Sequence, residues 1–408
     1  MSNNPICGAG LIDSAEPVII ERAEQLAPVI RALAGEGYIC VFHTGKQVIS
    51  TLSDFVNSRP DFTVYYLTDA DIDNQIKSLA EQMKGRLPDD ECALVAVEGL
   101  GVFGVGMSPT VARSVIDAFL TGSSVVKAVD SADDHCGRMK GKVAIVTGGA
   151  QGFGKGIADR LVREGACVVV ADLNVEGARS TACELARGTP DVIGWEADVG
   201  DEESTKRMVT AAVLEYGGLD IYINNAGTNT PGGLEEMELE TFERICRINL
   251  TAYYLGSKYA SRVMKLQHSF APDRFADIIQ INSKSGVAGS NKNFAYAGSK
   301  FGGVGLTQSL ALELVSSNIK VNSICPGNFF ESPLWSDPEK GMFTLYLNAG
   351  KVPGARTIDD IRRSYEEKVP MGRGCRPEDV ARAVLYLVEQ EYETGQAVPV
   401  TGGQIMMN

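Results

Sequence analysis

Tyr296 and Lys300 are four residues apart, so on a helix they project from the same face. A phenol is normally too weak an acid to move protons at neutral pH. An ammonium beside it, helped by a positive charge on a bound cofactor, lowers its pKa into a useful range. The Y-x-x-x-K pattern is cheap, and the chain holds a second copy at Tyr254 and Lys258. Context separates the two. Thirteen residues before Tyr296 stands Ser283, closing the run Asp-Ile-Ile-Gln-Ile-Asn-Ser, where the carboxyl end of a strand would deliver its hydroxyl to a ligand crevice. Thirteen before Tyr254 is Thr241, in a polar segment with no strand behind it. Ser283, Tyr296 and Lys300 therefore form a candidate catalytic set, with the serine on the reacting oxygen, the tyrosine carrying the proton and the lysine tuning it. Tyr254 and Lys258 read as helix-face residues.

A second chemical signal is the glycine-rich turn Thr147-Gly-Gly-Ala-Gln-Gly-Phe-Gly, placed between an apolar strand and a helix. Gly148, Gly152 and Gly154 let the backbone turn sharply and come close to a pyrophosphate, and the helix that follows offers free N–H groups at its positive end. Eighteen residues past Gly154, the next strand ends in Asp172. A carboxylate there accepts both hydroxyls of an adenosine ribose and repels a 2'-phosphate. No arginine follows it, and Gln151 rather than a basic residue precedes Gly152. The expected cofactor is NAD, not NADP.

These groups need a frame. Apolar strand candidates at 143–146, 167–171, 192–195, 221–223, 277–281 and 321–324 alternate with amphipathic helices, the rhythm of a parallel sheet covered on both faces. The expected fold is α/β, a doubly wound parallel sheet of Rossmann type over residues 141–408. Before it, residues 129–140 read as a polar linker and residues 1–128 as a smaller, non-catalytic N-terminal α/β domain. That domain has strand candidates at 38–42, 63–66 and 93–97 and helices at 21–33, 71–83 and 109–120. Its Gly99, Gly101, Gly104 and Gly106 are read as a tight structural turn rather than a phosphate loop.

Composition narrows the function classes. With 44% apolar and 22% charged residues the chain is an ordinary globular protein. A net charge of -14 without a basic stripe argues against nucleic acid or an anionic membrane as partner. Nine scattered cysteines without a C-x-x-C pair suggest neither a disulfide framework nor a zinc ribbon. No apolar run approaches the ~18 residues of a membrane span, and no basic-then-apolar leader opens the sequence. A cytoplasmic location is expected.

Taken together, residues 140–401 resemble the short-chain dehydrogenase/reductase family, with the glycine turn, Asn224-Asn-Ala-Gly227 and the tetrad Asn249, Ser283, Tyr296 and Lys300 in family order. The resemblance implies a Rossmann fold of short-chain dehydrogenase type and cofactor contacts from Thr147, Gly148, Gln151, Gly152, Phe153, Gly154 and Asp172. It also implies contacts from Asp198 and Val199 at the adenine, Asn225, Ala226 and Gly227 along the strand end, and Tyr296 and Lys300 at the nicotinamide ribose. Pro326, Gly327 and Ser332 would meet the nicotinamide, although Glu331 stands where the family has a threonine. Asn249 would hold a proton-relay water.

Within the family the likeness is heavy to sorbitol-6-phosphate 2-dehydrogenases, through 279–286, 300–312, Gly327-Asn with Ser332-Pro, and 394–404. It implies interconversion of a secondary alcohol and a ketone on a polyol or sugar phosphate. Expected substrate contacts are Ser283, Lys284, Ser285 and Asn328, with Lys340, Lys351, Arg356, Lys368 and Arg373 of the loop at 329–376 as further cations. Two alternatives stay open: a dehydrogenase of another polar or unphosphorylated hydroxy compound, and a redox-silent NAD-binding interaction protein. The segment 97–108 resembles the aldolase part of rhamnulose-1-phosphate aldolase/dehydrogenase fusions. With only His43, His135 and His268 in the chain, no metal is expected. Family members pair helices at 234–265 and 294–316, which implies a homo-oligomer.

Overall fold

The computed structural model describes residues 14–45, 48, 62–83, 87, 91–125, 137–187, 191–348, 350 and 352–406. Among the described residues seven strands form the large sheet: β5 (Val143–Thr147), β6 (Cys167–Asp172), β7 (Val192–Glu196), β8 (Ile221–Asn224), β9 (Ala276–Ile281), β10 (Ile319–Pro326) and β11 (Ala397–Val400). Their order is β11-β10-β9-β8-β5-β6-β7 and every pairing is parallel. The order reverses between β5 and β8, and a crevice opens there at the strands' carboxyl ends. Strands β5, β8, β9 and β10 are buried along their whole length, which is why they read as unbroken apolar runs.

One face of this sheet is covered by helices α4 (Gly152–Arg163), α5 (Val175–Ala186) and α13 (Pro377–Glu389), whose Ile157, Leu161, Ala182 and Val384 pack on Val146, Val168 and Ile279. The other carries α6 (Glu202–Tyr216), α8 (Ala252–Phe270) and α9 (Phe294–Leu314), with Met208, Tyr253, Met264 and Leu314 on Ile145 and Val321. A short helix α7 (Leu239–Cys246) runs into α8 through a π-helical turn, Arg247–Thr251. Between β10 and α13, small helices α10 (Pro333–Ser336), α11 (Met342–Asn348) and α12 (Ile358–Glu366) gather around Phe330, Trp335, Phe343 and Ile361.

The N-terminal part is a four-stranded mixed sheet of order β1-β4-β3-β2, made of β1 (Ile39–His43), β2 (Thr63–Leu67), β3 (Ala93–Val97) and β4 (Gly101–Gly106). Its helices are α1 (Pro17–Ala34), α2 (Ile72–Gln82) and α3 (Pro109–Thr121). The reading of Gly99 to Gly106 as one tight turn is corrected: the turn is 98–100, and the other three glycines lie in β4. A Cβ on Gly104 would stand 2.0 Å from the Ala112 carbonyl oxygen and one on Gly106 2.6 Å from Val111. The glycines let α3 lie directly on the strand.

This unit does not stand apart. Ile39, Leu94, Val102 and Val115 share one core with Val143 and Ile145, and Leu26 and Ile30 of α1 pack with Val213 and Leu214 of α6. Buried Arg31 of α1 pairs with Asp220 at 2.6 Å and donates to the carbonyls of Tyr38 and Gly141, while Asp220 accepts the amide of Val143. Burial alone would push the Asp220 carboxyl up, but the Arg31 guanidinium holds it below its usual value. Of the expected linker, 129–136 lies outside the described residues. Its end, 137–140, is folded onto the large domain, with Met139 buried and Arg138 bonded to Glu164.

Candidate active site

The crevice is a cleft of about 830 Å³. Two residues past the end of β9 stands Ser283, whose Oγ accepts the Ser285 amide at the start of a short 3-10 turn. Helix α9 begins at Phe294, so Tyr296 and Lys300 fall in its first two turns and face that strand end. The Tyr296 and Ser283 side chains line the cleft together, with the serine hydroxyl near enough to act on the phenol. The Lys300 Nζ lies 5.7 Å from the Tyr296 ring centroid and donates to the Ile281 carbonyl at 3.1 Å. Burial pushes the Lys300 ammonium down to about 8. Burial also raises the Tyr296 hydroxyl, with the nearby Ser283 hydroxyl acting the other way. The protein alone thus does not make Tyr296 a stronger acid. A positive charge brought in by a ligand is needed for that.

The glycine turn forms the opposite wall. Gly148 and Gly152 have φ of 61° and 60°, in the left-handed region. A Cβ on Gly152 would meet nothing within 4 Å, so its backbone faces open cleft, and no side chain caps the start of α4. Its free N–H groups are an anion site. Asp172 lines the cleft at the end of β6 while accepting the amides of Ala150 and Asn174. Asp198 also lines the cleft, and its cationic lining side chains are Arg244, Lys284 and Lys300.

Most of the expected site residues line this one cleft: Gly148, Gln151, Gly152, Phe153, Asp172, Asp198, Val199, Asn225, Ala226, Gly227, Ser283, Lys284, Ser285, Tyr296, Lys300, Pro326, Gly327, Asn328 and Ser332. Thr147, Gly154 and Asn249 stand behind its wall. The Thr147 hydroxyl accepts the amides of Asn225 and Ala226. A Cβ on Gly154 would lie 2.1 Å from the Gly148 carbonyl oxygen, so glycine there serves the turn's packing. Asn249 projects from the π-helical turn, a local widening that often marks functional positions. Its amide receives the Thr228 N–H and donates to the Thr228 carbonyl and the Ser299 hydroxyl, so it clamps the loop beside the catalytic pair.

The loop cations behave differently from expectation. Arg373 forms two bonds to Asp379, and Lys340, Arg356 and Lys368 do not line the cleft; Lys351 lies outside the described residues. Glu331 turns away to Arg362 at 3.0 Å, leaving Ser332 at the cleft with its hydroxyl on the Phe329 carbonyl. Trp335, Met342, Tyr346 and Tyr365 form an apolar and aromatic wall over the mouth, and Phe329 stacks on Phe153 of the glycine turn at 5.1 Å. None of this wall was visible as a pattern in the sequence.

The family model for short chain dehydrogenases matches residues 142–340. A sorbitol-6-phosphate 2-dehydrogenase of Escherichia coli strain K12 is 35% identical over 269 residues, which are 65% of this chain and 99% of that protein. The chain belongs to the short-chain dehydrogenase family. It is therefore an oxidoreductase acting on CH–OH or carbonyl groups with a nicotinamide cofactor. Among solved structures, a sorbitol-6-phosphate 2-dehydrogenase from Erwinia amylovora matches with a TM-score of 0.59 and 35% identity, covering 65% of this chain and all of that one. A 3-ketoacyl-(acyl-carrier-protein) reductase from Brucella melitensis, complexed with NADH, matches with a TM-score of 0.56 and 29% identity, covering 66% of this chain and all of that one.

The residues present fit a dinucleotide. The uncapped helix start and open Gly152 suit a pyrophosphate, and Asp172 suits a ribose diol. Among the described residues no helix is long and apolar enough to cross a membrane.

Proposed function

We propose that this protein oxidises a secondary alcohol on a polyol or sugar phosphate, or reduces the corresponding ketone, using NAD. The observation that carries this reading is the placement of Ser283, Tyr296 and buried Lys300 in the same cleft as the glycine turn and Asp172. An intact set of this kind argues against a redox-silent NAD-binding protein. The substrate class rests on the likeness to sorbitol-6-phosphate 2-dehydrogenases and on a cleft that offers Lys284, Ser285 and Asn328. The Nδ2 of Asn328 is buried with no hydrogen-bond partner, as suits a group that meets a ligand.

Ser283 and Tyr296 hold the substrate hydroxyl between them. Tyr296 takes its proton at Oη as the carbon is oxidised, and Ser283 stabilises the charge that grows on the oxygen. When bound, NAD would supply the hydride acceptor and a positive charge that favours the tyrosinate. Lys300 would hold the nicotinamide ribose, and Pro326, Gly327 and Ser332 would hold the nicotinamide. Asp172 excludes a 2'-phosphate, so NAD is preferred over NADP. Asn249 keeps the Thr228 turn in place and offers the remaining lone pair of its carbonyl to a relay water.

The three aromatic rings at the mouth favour a second reading, an unphosphorylated cyclic or polyhydroxy alcohol stacked on Trp335, Tyr346 or Tyr365. NAD reduction measured across phosphorylated and free polyols separates the two. The reading given first expects kcat/KM at least tenfold higher for a phosphorylated polyol, and a free polyol as the better substrate refutes it.

The N-terminal unit, residues 1–128, acts as a packing element without chemistry of its own. The chain works in the cytoplasm as a homo-oligomer through the faces of α7–α8 and α9, where Phe301 and Leu312 are 47% and 83% exposed.

A further inference from the structure

Three polar groups that line the cleft are not used by the chemistry above. Arg244 of α7 lines the cleft. It donates to the hydroxyls of Thr228 at 3.3 Å and Thr230 at 3.0 Å. Among the described residues these are its hydrogen-bond partners, and no carboxylate lies within ion-pair distance. That sets it apart from Arg362 and Arg373, whose charges are met by Glu331, Glu366 and Asp379. A guanidinium has five N–H donors, so Arg244 keeps most of them and its full charge for something else. The other two groups are Asn229 and Asn293, which also line the cleft and whose Oδ1 atoms are buried with no hydrogen-bond partner. Buried polar atoms in folded proteins are normally bonded, and exceptions point to a ligand or water that completes them.

The frame holds these three groups together. The Thr228 loop is clamped by Asn249 and joined to the loop before α9 by the bridge of Gly232 with Asn293 and the bond from the Gly232 amide to the Lys292 carbonyl at 3.0 Å. The Phe242 ring of α7 stacks on Phe294, next to Asn293. Asn293 is three residues before Tyr296, so the subsite adjoins the reacting centre.

Resting on the reading of the substrate as a polyol or sugar phosphate, we propose that Arg244 binds the substrate's phosphate while Asn229 and Asn293 accept hydrogen bonds from its neighbouring hydroxyls. An ionised phosphate has only acceptors to offer, so the guanidinium is its partner and the amide oxygens are not. The amides answer the hydroxylated carbons between phosphate and reacting carbon. Arg244 is at the rim, where a group several carbons from the reacting one would reach solvent. Lys284, directly after the catalytic serine, serves the reacting end.

The test uses the intact enzyme saturated with NAD. Arg244→Leu is expected to raise KM for sorbitol 6-phosphate at least tenfold with kcat within threefold, and to change KM for sorbitol by less than threefold; Arg244→Lys recovers part of the loss. Asn293→Ala raises KM for both substrates. Calorimetry of inorganic phosphate with the enzyme–NAD complex should show binding that weakens at least tenfold in Arg244→Leu while NAD affinity holds. Equal losses on both substrates would make Arg244 only a brace for Thr228 and Thr230 and would overturn the proposal. So would phosphate binding that survives Arg244→Leu and disappears in Lys284→Ala. If no phosphorylated polyol is turned over, the substrate reading fails by itself, and the phosphate calorimetry still decides the subsite.

Discussion

Replacing Lys300 by methionine should abolish turnover and yet stabilise the fold at neutral pH. Lys300 is almost fully buried, and burial brings its ammonium from the usual 10.5 down to about 8. At about 1.4 kcal/mol per pH unit, holding the charge inside costs about 3 kcal/mol at pH 7. Losing the bond from Nζ to the Ile281 carbonyl takes back about 1–2 kcal/mol, which leaves a net gain of about 1–2 kcal/mol. The sign depends on pH. Between pH 8 and 10.5 the unfolded chain binds more protons than the folded one at this residue, so the cost is fully present below pH 8 and is relieved as pH rises through that window. Above it, only the lost hydrogen bond remains. Thermal unfolding of the cofactor-free protein and of Lys300→Met should therefore differ by about 1–2 °C in favour of the variant at pH 7, with the order reversed above pH 10.5. A variant less stable than the parent at pH 7 would refute the reasoning, because Lys300 would then be kept for folding and not for chemistry.

Other expectations follow from the same structure. Steady-state kinetics should give a kcat/KM for NAD at least about tenfold above that for NADP, and Asp172→Ala should narrow the ratio; equal use of both cofactors by the parent contradicts the role of Asp172. Arg31→Met leaves Asp220 charged and buried without its partner and should cost about 3–5 kcal/mol, read as a lower thermal midpoint. Arg31→Met with Asp220→Asn should recover part of that, and a silent single variant would mean that the N-terminal unit is not anchored there. Light scattering should show a mass above one chain's 43.6 kDa at micromolar concentration, and a monomer refutes assembly through α7–α8 and α9.

The large sheet was legible because its strands are covered on both faces and carry unbroken apolar runs, and because glycines and a carboxylate fall where the turns require them. Strand β11 was not, since it is only four residues long and carries Pro399; a short edge strand tolerates both. Strand β4 hid behind its glycines, whose purpose is visible only once α3 lies on them. The π-helical turn that projects Asn249 has no sequence signature of its own. Ser283, Tyr296 and Lys300 stood out as a candidate set because chemistry fixes their types and spacing, and the chain brings them to one cleft. Arg244, Asn229 and Asn293 did not, because a lone arginine and two loop amides form no pattern until the chain brings them to one cleft. The apparent independence of the N-terminal unit had the same origin: its apolar strands look self-sufficient, and only the structure reveals that Ile39 and Leu94 share a core with Val143.

NAD reduction with sorbitol 6-phosphate by the parent enzyme, Tyr296→Phe and Tyr254→Phe shows directly whether Tyr296 carries the proton. The parent should turn over, Tyr296→Phe should lose at least about a thousandfold in kcat while NAD affinity stays within threefold, and Tyr254→Phe should match the parent. Turnover that persists in Tyr296→Phe, or that disappears in Tyr254→Phe instead, would contradict that role.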